Sequence, residues 1–252
     1  MLEQKVPARE QLRAPKLRGP SRLPGFWVVD FYRSNIGKKA TMAVSGIAGL
    51  GFLVAHMIGN LKLYMGESDM NAYGEWLREI LYPGLPHSGF LWIMRIGLIL
   101  AIVVHVHAAA ALTIANRKAR PKKYEGGRDY IAATYAARTM RWTGIIVLAF
   151  IAWHLADLTF GVNAVNPDFA HGDPYNNTVN SFSRVPVAAF YIIANVLLGM
   201  HIWHGAWSMF QSLGINNRRF NRWRNAFAIG IAVLITAGNV SFPIAVLTGV
   251  VG

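Results

Sequence analysis

A chain of 252 residues that is 54% hydrophobic and only 15% charged has too little polar surface for an ordinary water-soluble globule, which favours a membrane class. Its net charge of +13 does not make it a nucleic-acid binder, because the basic residues lie between long apolar runs and form no continuous groove or basic helix. With no cysteine it holds neither a thiolate-ligated iron–sulfur cluster nor a disulfide nor a C-x-x-C-H haem attachment, so any haem is non-covalent and any such cluster belongs to a partner.

Residues 1–39 are rich in Arg, Lys and Pro and contain no apolar h-region, so they do not read as a cleaved signal peptide. They are expected to form a basic cytoplasmic segment, with Phe26, Trp27, Phe31 and Tyr32 as an interfacial anchor. Residues 40–252 then read as one all-α membrane domain. A bilayer core about 30 Å thick needs roughly 20 mostly apolar helical residues. Five stretches qualify, at 40–65, 90–115, 142–161, 185–210 and 226–250. Charged residues within them are few: Lys62, Arg95 and Asp157. Between the first two spans, Glu67 to Leu81 carries Tyr73, Trp76, Leu77 and Ile80 and suits a short amphipathic surface helix. The connection from Asn163 to Arg184 is rich in Asn, Pro, Asp and Gly and reads as loop. No convincing internal repeat is visible.

The connections alternate in sign. Lys plus Arg minus Asp plus Glu gives 9 − 3 = +6 for 1–39, 2 − 4 = −2 for 61–89 and 8 − 2 = +6 for 116–142. It then gives 1 − 2 = −1 for 161–184 and 4 − 0 = +4 for 211–226. The positive-inside rule therefore predicts the N-terminus inside and the C-terminus outside.

Six of the eight histidines fall within the spans: His56, His105, His107, His154, His201 and His204. An imidazole in hydrocarbon needs a partner, and a lone one most often makes an interhelical hydrogen bond. Histidine in each of four successive spans is a different pattern, because two imidazoles from different helices can clamp one haem iron. Chain direction sorts them by depth. His56 and His154 lean to the outer leaflet, whereas His105 or His107 and His201 or His204 lean to the inner one, the two layers that two stacked haems require. Small residues lie on the ligand faces: Gly49 seven before His56, Ala109 four after His105 and Gly205 four after His201. His105 and His107 stand about 200° apart around their helix and cannot both face one haem squarely.

The stretches I-G-K-K-A-T-M-A-V-S-G (36–46), A-H-M-I-G-N-L-K (55–62), N-R-K-A-R-P-K-K-Y (116–124), R-T-M-R-W-T-G (138–144), W-H-L-A-D-L-T (153–159) and G-M-H-I-W-H-G-A-W (199–207) together resemble the dihaem, five-helix cytochrome b subunit of succinate dehydrogenases and fumarate reductases. The resemblance runs from about Ser34 to Gly252. It implies two b haems, ligated by His56 with His154 and by His105 with His201. His107 and His204 are then hydrogen-bonded core residues or propionate neighbours. It also implies a membrane anchor in the cytoplasmic (inner) membrane, working in the respiratory chain and the tricarboxylic acid cycle. Its partners would be a flavoprotein that oxidises succinate and an iron–sulfur subunit, and its electron acceptor would be a quinone, with menaquinone expected.

No Ser/His/Asp set, phosphate loop or metalloprotease motif occurs, so no substrate chemistry is expected in this chain itself. Asp157, Lys62, Arg95, Arg141 and His204 are candidate quinone or propionate contacts. Two other readings compete: the cytochrome b anchor of a different quinone-linked oxidoreductase, and a haem-free transporter in which intramembrane His and Asp relay protons.

Overall fold

The structure, a computed structural model, describes residues 26–119, 135–215, 217 and 219–252. Most of the expected basic N-terminal segment and the heart of the 116–142 connection lie outside the described residues.

Lipid offers backbone amides no hydrogen-bond partner, so apolar spans must satisfy them internally as helix. Among the described residues, five helices are long and apolar enough to cross a membrane: Asn35–Met65, Gly89–Lys118, Thr139–Leu158, Val185–Ser212 and Asn221–Leu247. A short helix α1 (Trp27–Arg33) carries Trp27, Phe31 and Tyr32 and turns into α2 (Asn35–Asn60) at Ser34, whose side chain accepts the Gly37 N–H at 2.8 Å. A 3₁₀ turn, Leu61–Met65, extends α2, and Gly66 at φ 99 ends it. The expected surface helix forms as α3 (Glu67–Glu79). Then follow α4 (Gly89–Lys118) and α5 (Tyr135–Leu158).

The connection read as loop is not all loop, because α6 (Pro174–Phe182) lies within it. Asp173 caps this helix and Pro174 occupies its first turn, where a missing N–H costs nothing. Those two residues were a helix start inside a composition typical of turns. The last two spans are α7 (Val185–Ser212) and α8 (Asn221–Leu247).

Helix α7 is central and packs on α8, α5 and α2, while α4 lies on α2. Small residues permit the closest approaches: a Cβ at Gly199 would lie 2.1 Å from Thr236 Oγ1, so no larger residue fits between α7 and α8 there. Outward-facing Trp92, Ile99, Val103, Ile145 and Val233 are exposed, as lipid-facing side chains should be. The end of the bundle that carries α3 and α6 is called the upper end below. It is closed by polar contacts, with Asn71 and Asn176 linking α3 to the α6 cap.

Candidate functional site

The four spans that bear the histidines arrange them as two pairs. His56 on α2 and His154 on α5 form the upper pair, with ring centroids 5.8 Å apart. His105 on α4 and His201 on α7 form the lower pair at 6.4 Å. Among the described residues, neither α2 with α5 nor α4 with α7 is in substantial backbone contact, so each pair reaches across a gap between helices that stand apart. Metal–imidazole bonds of about 2 Å set two opposed nitrogens about 4 Å apart and their ring centroids about 6 Å apart. Both pairs match that spacing.

The second ring nitrogens tell the same story. His105 Nδ1 lies 3.1 Å from the Met42 carbonyl and 3.1 Å from Ser45 Oγ. A carbonyl only accepts, so Nδ1 carries the proton and Nε2 keeps its lone pair. His201 Nδ1 lies 3.4 Å from Thr143 Oγ1, and Thr143 spends its own proton on the Met140 carbonyl. His201 therefore donates from Nδ1 as well. Metal-binding imidazoles are characteristically held in this way, by an acceptor on the nitrogen that is not the ligand. The residues present thus fit a bis-imidazole metal centre in each layer.

These contacts reveal a repeat. Shifting the sequence by 139 − 41 = 98 places 41–56 over 139–154, and seven of sixteen positions coincide: Thr, Met, Gly, Ile, Leu, Phe and His. Ser45 falls on Thr143, Gly46 on Gly144 and His56 on His154. In each unit the first helix offers a hydroxyl and a glycine to the histidine of the next span, which lies sixteen residues beyond the start of its helix in both cases (105 − 89 and 201 − 185). A Cβ on Gly46 would come 3.6 Å from His105 Cε1, and one on Gly144 would come 3.3 Å from His201 Cε1. Each glycine precedes its own helix's histidine by ten residues, which at 1.5 Å per residue separates the layers by about 15 Å. Of the small residues picked out along the ligand helices, Gly49 faces open space and Gly205 meets Met140. The glycines that touch the rings are on the facing helices.

The upper layer adds a buried carboxylate. Asp157, one turn after His154, is fully buried. Its Oδ2 accepts from Ser181 Oγ at 2.6 Å and from the Tyr191 hydroxyl at 2.8 Å, while Arg184 Nη2 lies 3.5 Å from Oδ1. Tyr191 also stands 3.4 Å from His154 Nδ1. The other sequence-chosen residues make different contacts. Lys62 is 3.7 Å from Asp69, Arg95 lies over the Trp92 ring, Arg141 is exposed, and His204 lies beside Trp207. His107 is exposed and hydrogen-bonds the Tyr32 hydroxyl of α1.

Fold and site together define a polytopic helical membrane protein with two tiers of paired histidines in its interior. Residues 116–239 match the family model of the succinate dehydrogenase/fumarate reductase transmembrane subunit, a stretch that takes in α5, α7, His154 and His201. That match makes the chain similar to this family of membrane subunits. Comparison with curated proteins and with solved structures returned no match.

Proposed function

We propose that the chain is the cytochrome b anchor of a succinate:quinone oxidoreductase and carries electrons from an iron–sulfur partner to membrane quinone by way of two b haems. The supporting observation is the pairing of His56 with His154 and of His105 with His201 across helices held apart, at the spacing a six-coordinate iron requires. His56 and His154 would hold one haem, and His105 and His201 the other. Bound haem supplies reversible one-electron chemistry that the side chains of a cysteine-free bundle do not.

The chain's own residues do the positioning. Met42 and Ser45 fix the His105 tautomer, and Thr143 fixes that of His201, so that Nε2 of each would be free to serve as the ligand atom. The apolar helix faces around the pairs would shield a bound haem from water. Arg141 and His204, close in sequence to Met140 and His201 of the lower layer, are suited to a propionate.

Charge alternation supports an orientation with the lower end and the N-terminus at the cytoplasmic face of the inner membrane. There the basic segments 1–39, 116–142 and 211–226 would hold the flavoprotein, which oxidises succinate, and the iron–sulfur subunit. Menaquinone is the quinone that the family resemblance favours. The test is purification in mild detergent: two b haems per chain by pyridine haemochrome, with flavin and iron–sulfur subunits copurifying, are expected. A preparation that reduces quinone with succinate yet shows no reduced haem absorbance overturns the reading.

A further inference from the structure

The four paired histidines are not held alike, and the difference lies in Tyr191. A phenol has one proton, and Tyr191 gives its proton to Asp157 Oδ2 at 2.8 Å. Toward His154 Nδ1, 3.4 Å away, its oxygen can therefore only accept. The order of donors is fixed: His154 Nδ1–H to Tyr191 oxygen, Tyr191 O–H to the Asp157 carboxylate. Ser181 donates to the same carboxylate oxygen as Tyr191, Arg184 lies beside the other, and Arg184 also donates to the Val165 carbonyl at 2.6 Å. Tyr191 is itself immobilised, ringed by Phe150, Phe182 and His154 at 5.2, 4.8 and 6.0 Å. A carboxylate sealed inside a membrane helix bundle is costly unless it serves something. Lower-layer His105 and His201 lean on a carbonyl and on hydroxyls, all of them neutral.

We propose that Tyr191 and Asp157 are positioning residues for His154, forming an anionic hydrogen-bond relay that fixes its Nδ1–H, orients Nε2 toward His56, and lowers the reduction potential of the upper centre relative to the lower one. The physical cause is that an acceptor backed by negative charge makes the imidazole more electron-rich, which favours the oxidised metal. This inference rests on the haem reading above. It assigns Asp157 to the second nitrogen of a ligand rather than to quinone, since three donors already surround its oxygens.

The experiment is a redox titration of the intact complex carrying Tyr191→Phe or Asp157→Asn, with the electron paramagnetic resonance signals of the two haems followed separately. Tyr191→Phe removes one oxygen and leaves the ring packing in place, so it tests the relay even if Asp157→Asn fails to assemble. Both substitutions should raise the midpoint potential of one centre, the one lost in His154→Ala, and leave the other unmoved. Loss of the upper haem alone in either variant supports the same assignment. Both haems present with both potentials unmoved, or both potentials moved together, overturns the relay while the haem reading stands; absence of haem from the unmodified complex overturns the haem reading itself.

Discussion

The two histidine layers use the same pair of side chains in different settings. The lower pair is served by a repeated cup, Met42 and Ser45 with Gly46 on α2, Met140 and Thr143 with Gly144 on α5, and every group in it is neutral. The upper pair sits under a polar roof, where Asp157, Ser181, Arg184 and Asn166 meet the ends of α5, α6 and α7. His56 there packs on Phe52, with ring centroids 5.2 Å apart. A repeated helical unit therefore supplies the paired histidines, and its surroundings make the two pairs unequal.

The largest effect that could break this comparison is loss of a ligand. His56→Ala and His154→Ala should each remove one b haem and spare most of the other, while His105→Ala and His201→Ala should remove the second. His107→Ala should keep both, because His107 is exposed and bonds Tyr32 of α1 instead. Haem per protein by pyridine haemochrome measures this. If His56→Ala and His201→Ala removed the same centre, the two-layer arrangement would be wrong.

A smaller, graded effect belongs to the lower cup. Ala at Gly46 puts a Cβ 3.6 Å from His105, an ordinary contact, whereas Ala at Gly144 puts one 3.3 Å from His201, where the ring must give by a few tenths of an ångström. Val at Gly144 would press the branched carbons onto the imidazole. Lower-layer haem should therefore fall in the order Gly46→Ala, Gly144→Ala, Gly144→Val, with the upper centre retained throughout. Equal loss of both haems in Gly144→Val would show that the cups do not act on one layer alone.

The five spans and the Glu67 surface helix were legible because burial in lipid and amphipathicity write themselves into hydropathy and period. Helix α6 was masked by its Asn and Pro content, although Asp173-Pro174 is a cap followed by a first-turn proline. The repeat is faint in the sequence because Ser replaces Thr in one unit and the matching residues are scattered at helical spacing. The glycines that touch the imidazoles are not legible along the histidine's own helix, because a ring at a helix interface meets its neighbour's backbone. Asp157 stood out as a lone intramembrane carboxylate. Its partners Ser181, Arg184 and Tyr191 lie 24, 27 and 34 residues away, and no local pattern joins them. Tyr191 in particular reads as one more aromatic in an apolar run.

The smallest predicted effect tests the roof itself. Asp173 Oδ1 accepts from Asn71 Nδ2 at 3.0 Å and from the Asn176 N–H at 3.1 Å, and Oδ2 accepts from Asn176 Nδ2 at 2.8 Å, so one carboxylate caps α6 and ties it to α3. Partial burial works against its ionisation, but the bonds from the Asn176 side chain, the Asn176 backbone and Asn71 prevail and hold its pKa below the usual carboxylate value. A depressed folded-state pKa means that the stabilisation is complete above the unfolded value of about 4 and is lost as pH falls through the folded one. Acidification through that window should loosen α6 against α3, read as lower amide protection factors in 175–182, before the membrane core responds. Asp173→Ala should bring the loosening to neutral pH, at a cost of about 1 kcal/mol for the lost cap. Asp173→Asn, which has no charge to lose, should flatten the pH dependence. Exchange in α6 that follows the same acid profile with Asp and with Asn at this position would mean that the roof is held by its packing and not by this carboxylate.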